Sequence, residues 1–505
     1  MTWLPVALFG TQVALLTAFA FFAAFNYLYG LAALRTRRVP RVRHSGSRVA
    51  VVIVSYNEKY VLPETIRSCE ALTYPNAVVL LSDDSDDPEI ETTLGDLARA
   101  AGCRPVEHPE RVLGPSTDDT LSVPCEIWES ERFVYIHRSA NRGYKGGNLR
   151  LVSAYLRARG INLMYLVDAD WHPQPDAIER SLEALEADDR IAFVQTKRLT
   201  REQGMTRFQR YVSISEEGCY HVDFEGRQAM RHPILFSGCC TLLRLDAVEA
   251  VGGFASGHLT EDLDVTNRLW LEGWKGVYCG DVVNWGEVPF SYPDFRRQQE
   301  RWAYGTARCL ADHAWPLLRC EHLTWIERLS ALRQNAYFST GVLSTAAIAM
   351  GMGTVAWLAV ASGRYDVEYY LYLMEHARTP VLAVVYACIL STVVEPLVMI
   401  VAKKRRPAEL LHLPMGIWYA WSVLPTYVVG TLKGLAGVKI AWFRTPKFIR
   451  GRLEPLSRLS LTTRAVNVGL CLAMIGFYAV EGWAFGWRDP FALLLLPAFL
   501  LAASR

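Results

Sequence analysis

At 505 residues the chain exceeds what one hydrophobic core usually organises, so a soluble domain plus a second region is expected. Net charge is +2, from 53 basic and 51 acidic side chains, which argues against a basic surface for nucleic acid. The 11 cysteines include no C-x-x-C pair, so neither a disulfide framework nor a zinc site is expected.

Leu4 to Leu34 runs almost uncharged and exceeds the roughly 20 residues that cross a bilayer. Ala336 to Ala361, Pro380 to Ala402, Ala465 to Trp483 and the shorter Pro490 to Ala503 are further candidate spans. Arg35, Arg37, Arg38, Arg41 and Arg43 follow the first span, whereas Met1 to Pro5 carry no Lys or Arg. The positive-inside rule then puts the N-terminus outside and the following block in the cytosol. The first span is too long for a signal peptide and has no basic lead, so residues 1–34 read as a retained transmembrane anchor. Residues 45–312, with ordinary charge density, read as a cytosolic domain inserted between membrane parts.

Within that block Ala50 to Ser55, Ala77 to Ser82 and Met164 to Val167 are apolar, β-branched runs, and Leu62 to Leu72 has helical spacing. Strands alternating with helices predict a parallel α/β sheet covered on both faces, with ligands at the carboxyl ends of the strands. The first run ends in Tyr56-Asn57-Glu58. The second ends in the acidic cluster Asp83 to Asp87, which either caps a helix or holds a ligand. The third ends in Asp168-Ala169-Asp170, whose two carboxylates point to one side of an extended chain. Two hard oxygen ligands there suit Mg²⁺ or Mn²⁺ shared with a diphosphate.

Asn141 to Leu149 is Gly-rich around Lys145, chemistry that lets backbone and ammonium approach phosphate, or else a mobile glycine loop. Thr260-Glu261-Asp262 opens a helical stretch over Leu263 to Gly273. Thr260 could cap that helix, and Asp262 could act as a general base on an acceptor hydroxyl. In Gln298-Gln299-Glu300-Arg301-Trp302, Trp302 could stack on a sugar ring while Arg301 holds a departing phosphate. Both could equally anchor the interface.

Taken in this order and spacing, these motifs resemble glycosyltransferase family 2, in its membrane-integrated branch of cellulose, hyaluronan and mannan synthases. Gly143-Tyr144-Lys145, Asp168-Ala169-Asp170-Trp171, Glu261-Asp262-Leu263-Asp264 and Gly273 to Tyr278 look most like the cellulose synthase-like A mannan synthases. The resemblance implies an α/β GT-A (Rossmann-like) domain and inverting transfer from a nucleotide-diphosphate sugar, UDP-glucose or GDP-mannose, to a growing β-linked polysaccharide extruded through the same chain. It implies Tyr56, Glu58 and Asp84 around the nucleoside, Lys145 facing the diphosphate, and Asp168 and Asp170 on the metal and diphosphate. It further implies Asp262 as base, Gln298 and Arg301 near the leaving group, Trp302 on the acceptor, and Cys239 in an acceptor-contacting loop. The competing readings are a non-processive transferase acting on a ceramide-like lipid, since those enzymes share the Q-x-x-R-W element, and a non-catalytic scaffold.

Trp315 to Leu332 mixes aromatic, aliphatic and charged residues and predicts one interface helix within 313–335, ahead of a membrane channel region over 336–505. Residues 439–452 form a basic loop whose Trp442-Phe443-Arg444-Thr445-Pro446-Lys447 resembles the gating loop of cellulose synthases, with Arg444 in place of the usual Val. Thr445 and Lys447 would then reach the active site; the alternative is a loop that touches anionic lipid. The expected location is the plasma membrane, multi-pass, with the catalytic domain cytosolic.

Overall fold

The computed structural model describes residues 3–35, 39–113, 119–201, 205–346, 394–402, 422–438, 443–445, 448–449, 452–453, and single positions or pairs between 350 and 440. An N-terminal helix, α1 (Trp3–Ala33), precedes β1 (Val49–Ser55), α2 (Leu62–Glu70), β2 (Ala77–Asp83), α3 (Pro88–Ala100), β3 (Arg104–Pro105), α4 (Pro109–Leu113), β4 (Cys125–Glu129) and β5 (Phe133–Arg138). There follow α5 (Tyr144–Ala158), β6 (Leu163–Asp168), β7 (His172–Pro173), α6 (Ala177–Leu185), β8 (Ile191–Thr200) and α7 (Arg207–Gly218). A π-helical turn (Cys219–Phe224) leads to α8 (Glu225–Met230), β9 (Thr241–Arg244), α9 (Leu245–Ala250), α10 (Glu261–Leu271) and β10 (Lys275–Gly286). Beyond the sheet lie α11 (Tyr292–Arg319), α12 (Trp325–Asn335), α13 (Val394–Ala402) and α14 (Leu424–Leu435).

Ten strands form one sheet in the order β3-β4-β5-β2-β1-β6-β9-β8-β10-β7. The parallel sheet expected from the sequence is mixed: β1 pairs parallel with β2 and β6, but β9 is antiparallel to both β6 and β8. Alternate residues of β1 feed two cores, Val49, Val51 and Ile53 on one face and Ala50 and Val52 on the other. That is why its sequence is apolar throughout. The registers Ser55 to Asp83 and Val54 to Asp168 bring three strand ends, two of them acidic, to one edge. Because β9 runs the other way, its first residues, preceded by Cys239 and Cys240, start at that same edge.

Pro5–Ala33 is the one helix among the described residues that is long and apolar enough to cross a membrane. The other candidate spans lie wholly or largely outside the described residues. The single helix expected over Trp315 to Leu332 is two. α11 continues through Trp315 to Arg319, and α12 starts afresh because Thr324 and Glu327 form a capping box.

The C-terminal end of α1 is tied to the sheet domain by a buried polar cluster. Asp223 pairs with Arg227 at 2.6 Å and Arg333 at 2.7 Å, and Arg333 also bonds Asn26 of α1. Tyr29 bonds Ser330 at 2.6 Å and His232 at 3.0 Å, with the Arg227 guanidinium over its ring. Gly226 permits the approach, since a Cβ there would lie 2.5 Å from the Tyr29 carbonyl oxygen. Gly226→Ala should therefore lower thermal stability of the detergent-solubilised chain by about 2 kcal/mol through overpacking. Gly95→Ala, in α3 with no atom nearer than 3.7 Å, should raise it by about 0.5–1 kcal/mol through helix propensity. Equal effects in thermal melts would contradict the docking of α1.

Candidate active site

The cluster Asp83 to Asp87 divides its work. Asp87 caps α3 by accepting from the Glu89 N–H at 2.9 Å, so the capping reading holds for that residue. Asp84 is buried and accepts from Arg138 Nε at 2.6 Å and Asn148 Nδ2 at 2.8 Å, with a second bond from the same guanidinium to its other oxygen. Burial raises its proton affinity, and the Arg138 pairing works against that. Asp84 thus sits beneath the strand ends, its oxygens taken up by protein donors. Above it Tyr56 donates to Asp86 at 3.1 Å, Asn57 Nδ2 donates to Asp86 at 2.8 Å, and Glu58 accepts from Arg444 at 3.2 Å.

The glycines around Lys145 serve packing. Asn141 to Leu149 is the entry to α5, with Gly143 left-handed at φ +70°. A Cβ at Gly146 would lie 2.2 Å from the Ala255 carbonyl oxygen, and one at Gly147 2.2 Å from that of Arg142. This close seating puts Lys145 Nζ 2.5 Å from Asp168 Oδ1 and 2.8 Å from the Gly238 carbonyl. Burial opposes the ammonium charge, but Asp168 and Glu261 outweigh it and raise its proton affinity.

Gly238 also explains how Asp262 arrives. At φ +87° a Cβ there would lie 2.8 Å from Asp262 Oδ2, so only glycine lets the loop before β9 approach this carboxylate. Asp262 accepts from the Leu263 N–H at 2.8 Å. Its proton affinity is raised by burial, against the pull of that N–H, Lys145 and Arg301. Its neighbour Glu261 is buried and pushed up to about 7, first by burial and then by the charge of Asp262. Thr260 precedes this helix without making a side-chain cap; its methyl group packs where a Cβ on Gly305 of α11 would otherwise stand.

α11 brings the Q-x-x-R-W residues to the pocket. The Arg301 guanidinium is within electrostatic reach of Glu261, Asp262 and Asp168; burial lowers its proton affinity and these charges restore part of it. Among the described residues Arg301 Nε and Gln298 Oε1 have no hydrogen-bond partner. Trp302 follows on the same helix, half-buried. Asp170 is buried two residues beyond Asp168, and Cys239 is buried with its Sγ 3.1 Å from Arg198. Thr445 is buried, and Phe443 lies under the Arg297 guanidinium at 4.7 Å. Lys447 lies outside the described residues.

Sequence reasoning missed Arg138, Arg198 and Gln195. Gln195 Nε2 donates to the Cys239 and Cys240 carbonyls, and its Oε1 accepts from the Ser237 N–H, so one amide holds the loop before β9. No spacing in the chain signals these contacts, which span 41 to 54 residues.

An α/β sheet with acidic strand ends, a lysine against the D-x-D carboxylate and a carboxylate pair opposite defines a transferase-type site. The glycosyl transferase family group 2 model matches residues 163–431, more than half of the chain, and the glycosyl transferase family 2 model matches residues 50–252. The chain belongs to glycosyltransferase family 2. A rice relative, probable glucomannan 4-beta-mannosyltransferase 9, is 30% identical over 266 residues, covering 51% of this chain and 45% of that one. Another rice relative, glucomannan 4-beta-mannosyltransferase 1, is 28% identical over 283 residues, covering 55% and 49%. The chain spans about half the length of the curated relatives it matches. Among solved structures, the mannosyltransferase PcManGT of Pyrobaculum calidifontis, in complex with GDP-Man and Mn²⁺, aligns at TM-score 0.48 and 14% identity, covering 86% of this chain and 99% of that one.

Removing the Asp84 carboxylate should leave the fully buried Arg138 unpaired. Asp84→Ala is therefore expected to cost about 3–5 kcal/mol in chemical denaturation. A loss below 1 kcal/mol would show that the pair does not hold the pocket floor.

Proposed function

We propose that the chain transfers a hexose from a nucleotide-diphosphate sugar, UDP-glucose or GDP-mannose, with inversion, to a growing β-linked polysaccharide. The observation that carries this reading is the meeting of Lys145, Asp168, Glu261, Asp262 and Arg301 at the strand edge, where a donor diphosphate and an acceptor hydroxyl can both be served. The rice relatives' names supply the leaning toward mannosyl transfer onto a polysaccharide.

In this reading Tyr56 and Glu58 flank the nucleoside with Asp84 as the floor beneath it. Asp168 and Asp170 hold Mg²⁺ or Mn²⁺. These two carboxylates are hard oxygen donors of the kind that would suit such an ion. The ion, when bound, neutralises charge on the leaving nucleoside diphosphate. Lys145 exchanges Asp168 for the diphosphate, Arg301 faces the same leaving group with an N–H still unspent, and Gln298 lies near it on the same helix. Asp262 takes the proton from the acceptor hydroxyl as its oxygen attacks the anomeric carbon and the bond to the diphosphate breaks. Its raised proton affinity suits that task. An α-linked donor then gives a β-linked product. Trp302 stacks on the acceptor sugar, with Cys239 in the loop beside it.

The segment around Thr445 acts as the gate of the donor pocket. The supporting contact is Arg444 on Glu58, which brings residues 386 apart together. In this reading the site faces the cytosol at the plasma membrane, for which the long apolar α1 is the support, and the polymer leaves through the same chain.

Purified chain incubated with radiolabelled UDP-glucose or GDP-mannose should release nucleoside diphosphate and give a long polymer; a short organic-soluble glycolipid would contradict polymer synthesis. Asp262→Asn should lower kcat by about 10²–10⁴-fold with an unchanged melting curve, and full turnover would remove Asp262 from its role. Glu261, pushed up to about 7, ionises beside Asp262 in that window and strengthens it as a base, so the rate should rise as pH increases through about 7. Glu261→Gln removes that titrating group and should abolish the limb near 7; a limb that persists there would contradict the coupling.

A further inference from the structure

The carboxylates at the ends of β1 and β2 draw their partners from different parts of the chain. Asp83 accepts from the Ser85 hydroxyl at 2.7 Å, Asp84 from Arg138 and Asn148, Asp86 from Tyr56 and Asn57, and Asp87 from the Glu89 N–H. All of those donors belong to the sheet domain. Glu58 reaches outside it and accepts from Arg444, which follows α14 and stands 386 residues further along the chain.

Arg444 thereby stands at the nucleoside end of the pocket. Burial and the Asp86 carboxylate raise the proton affinity of the Tyr56 hydroxyl, and the Arg444 charge works against them, so guanidinium and phenol are neighbours. The residues on either side of Arg444 are packed: Phe443 lies 4.7 Å from the Arg297 guanidinium of α11, and Thr445 is buried. The Glu58 and Arg444 side chains keep only 10% and 22% of their surface in water. Their contact of 3.2 Å is longer than the roughly 2.7–2.9 Å of a close charge-assisted bond. Two poorly hydrated charges held this loosely favour a ligand that gives a donor to one and an acceptor to the other.

Guanine does so on adjacent edges. Its N7 and O6 accept from both arms of a guanidinium, while its ring N–H and exocyclic amine donate to both oxygens of a carboxylate. Uracil has a single ring N–H between two carbonyls and offers each group one bond at most. We propose that Glu58 and Arg444 together read the base of the donor as guanine, so that the sugar arrives on GDP. This rests on the transferase reading above and chooses between its two donors. The incoming base parts the ion pair and leaves neither charge bare.

The test titrates GDP, inosine diphosphate and UDP into the purified full-length chain in saturating Mn²⁺. GDP should bind about tenfold or more tighter than UDP, and inosine diphosphate, which lacks the exocyclic amine, should fall between. Arg444→Leu should cut the ratio of GDP to UDP affinity about fivefold, and Glu58→Ala should remove the preference for GDP over inosine diphosphate. These are ratios within one preparation, so partial loss of folded protein does not move them. Should either variant fail to fold, the wild-type order still decides. Equal or reversed binding of GDP and UDP, or an unchanged ratio in Arg444→Leu, would overturn the proposal. Binding of none of the three nucleotides would instead defeat the transferase reading itself.

Discussion

Carboxylates brought close together in a buried pocket repel one another, and Asp168, Glu261 and Asp262 are held in such a place only because two cations share it. Lys145 bridges Asp168 and the Gly238 carbonyl, and Arg301 faces all three acids. The rest of the domain supplies these five groups from four elements. β6 carries Asp168 outward, α5 seats Lys145 through glycines that let it sit against Ala255, α10 presents the acid pair, and α11 delivers Arg301. Gly238 lets the loop before β9 close over Asp262, and Gln195 pins that loop from below. A balance of charge this tight favours a ligand that brings its own negative groups, because Lys145 can exchange a protein carboxylate for a phosphate oxygen without leaving a charge unpaired.

The same elements connect the site to the apolar segments. α11 runs from the Q-x-x-R-W residues onward and is packed by α14 through glycines. A Cβ at Gly434 would lie 2.3 Å from the Tyr304 carbonyl, and Lys433 pairs with Glu300 at 2.7 Å. On the other flank α1 is locked to the π-helical turn by Asp223, Arg227 and Arg333. A π-helical turn carrying this ionic cluster is a local departure from regular helix that the docking of α1 requires.

Much of this was legible in the sequence because the signals were local. The runs at Ala50, Ala77 and Met164 became β1, β2 and β6 at nearly the same bounds, and their ends met at one edge. What escaped were contacts between residues far apart in sequence. Asp84 read as a ligand residue, yet its oxygens serve Arg138 and Asn148. Gly146 and Gly147 read as a phosphate loop, yet they are helix residues that neighbouring carbonyls would not let carry a side chain. The four-residue β9 is too short for a period to show, so the sheet read as wholly parallel. The break after Arg319 did have a signal, the Thr324 to Glu327 capping box, hidden by the apolar residues around it.

In the proposed mechanism Asp168 and Asp170 would bind a metal jointly with a nucleoside diphosphate while Lys145 turns to that diphosphate. Equilibrium titration of GDP and UDP into the purified full-length chain, with and without Mn²⁺, tests it directly. The predicted result is tight binding of one nucleotide that needs Mn²⁺ and disappears in Asp168→Asn/Asp170→Asn. Equal binding without metal, or undiminished binding in that double variant, would contradict it.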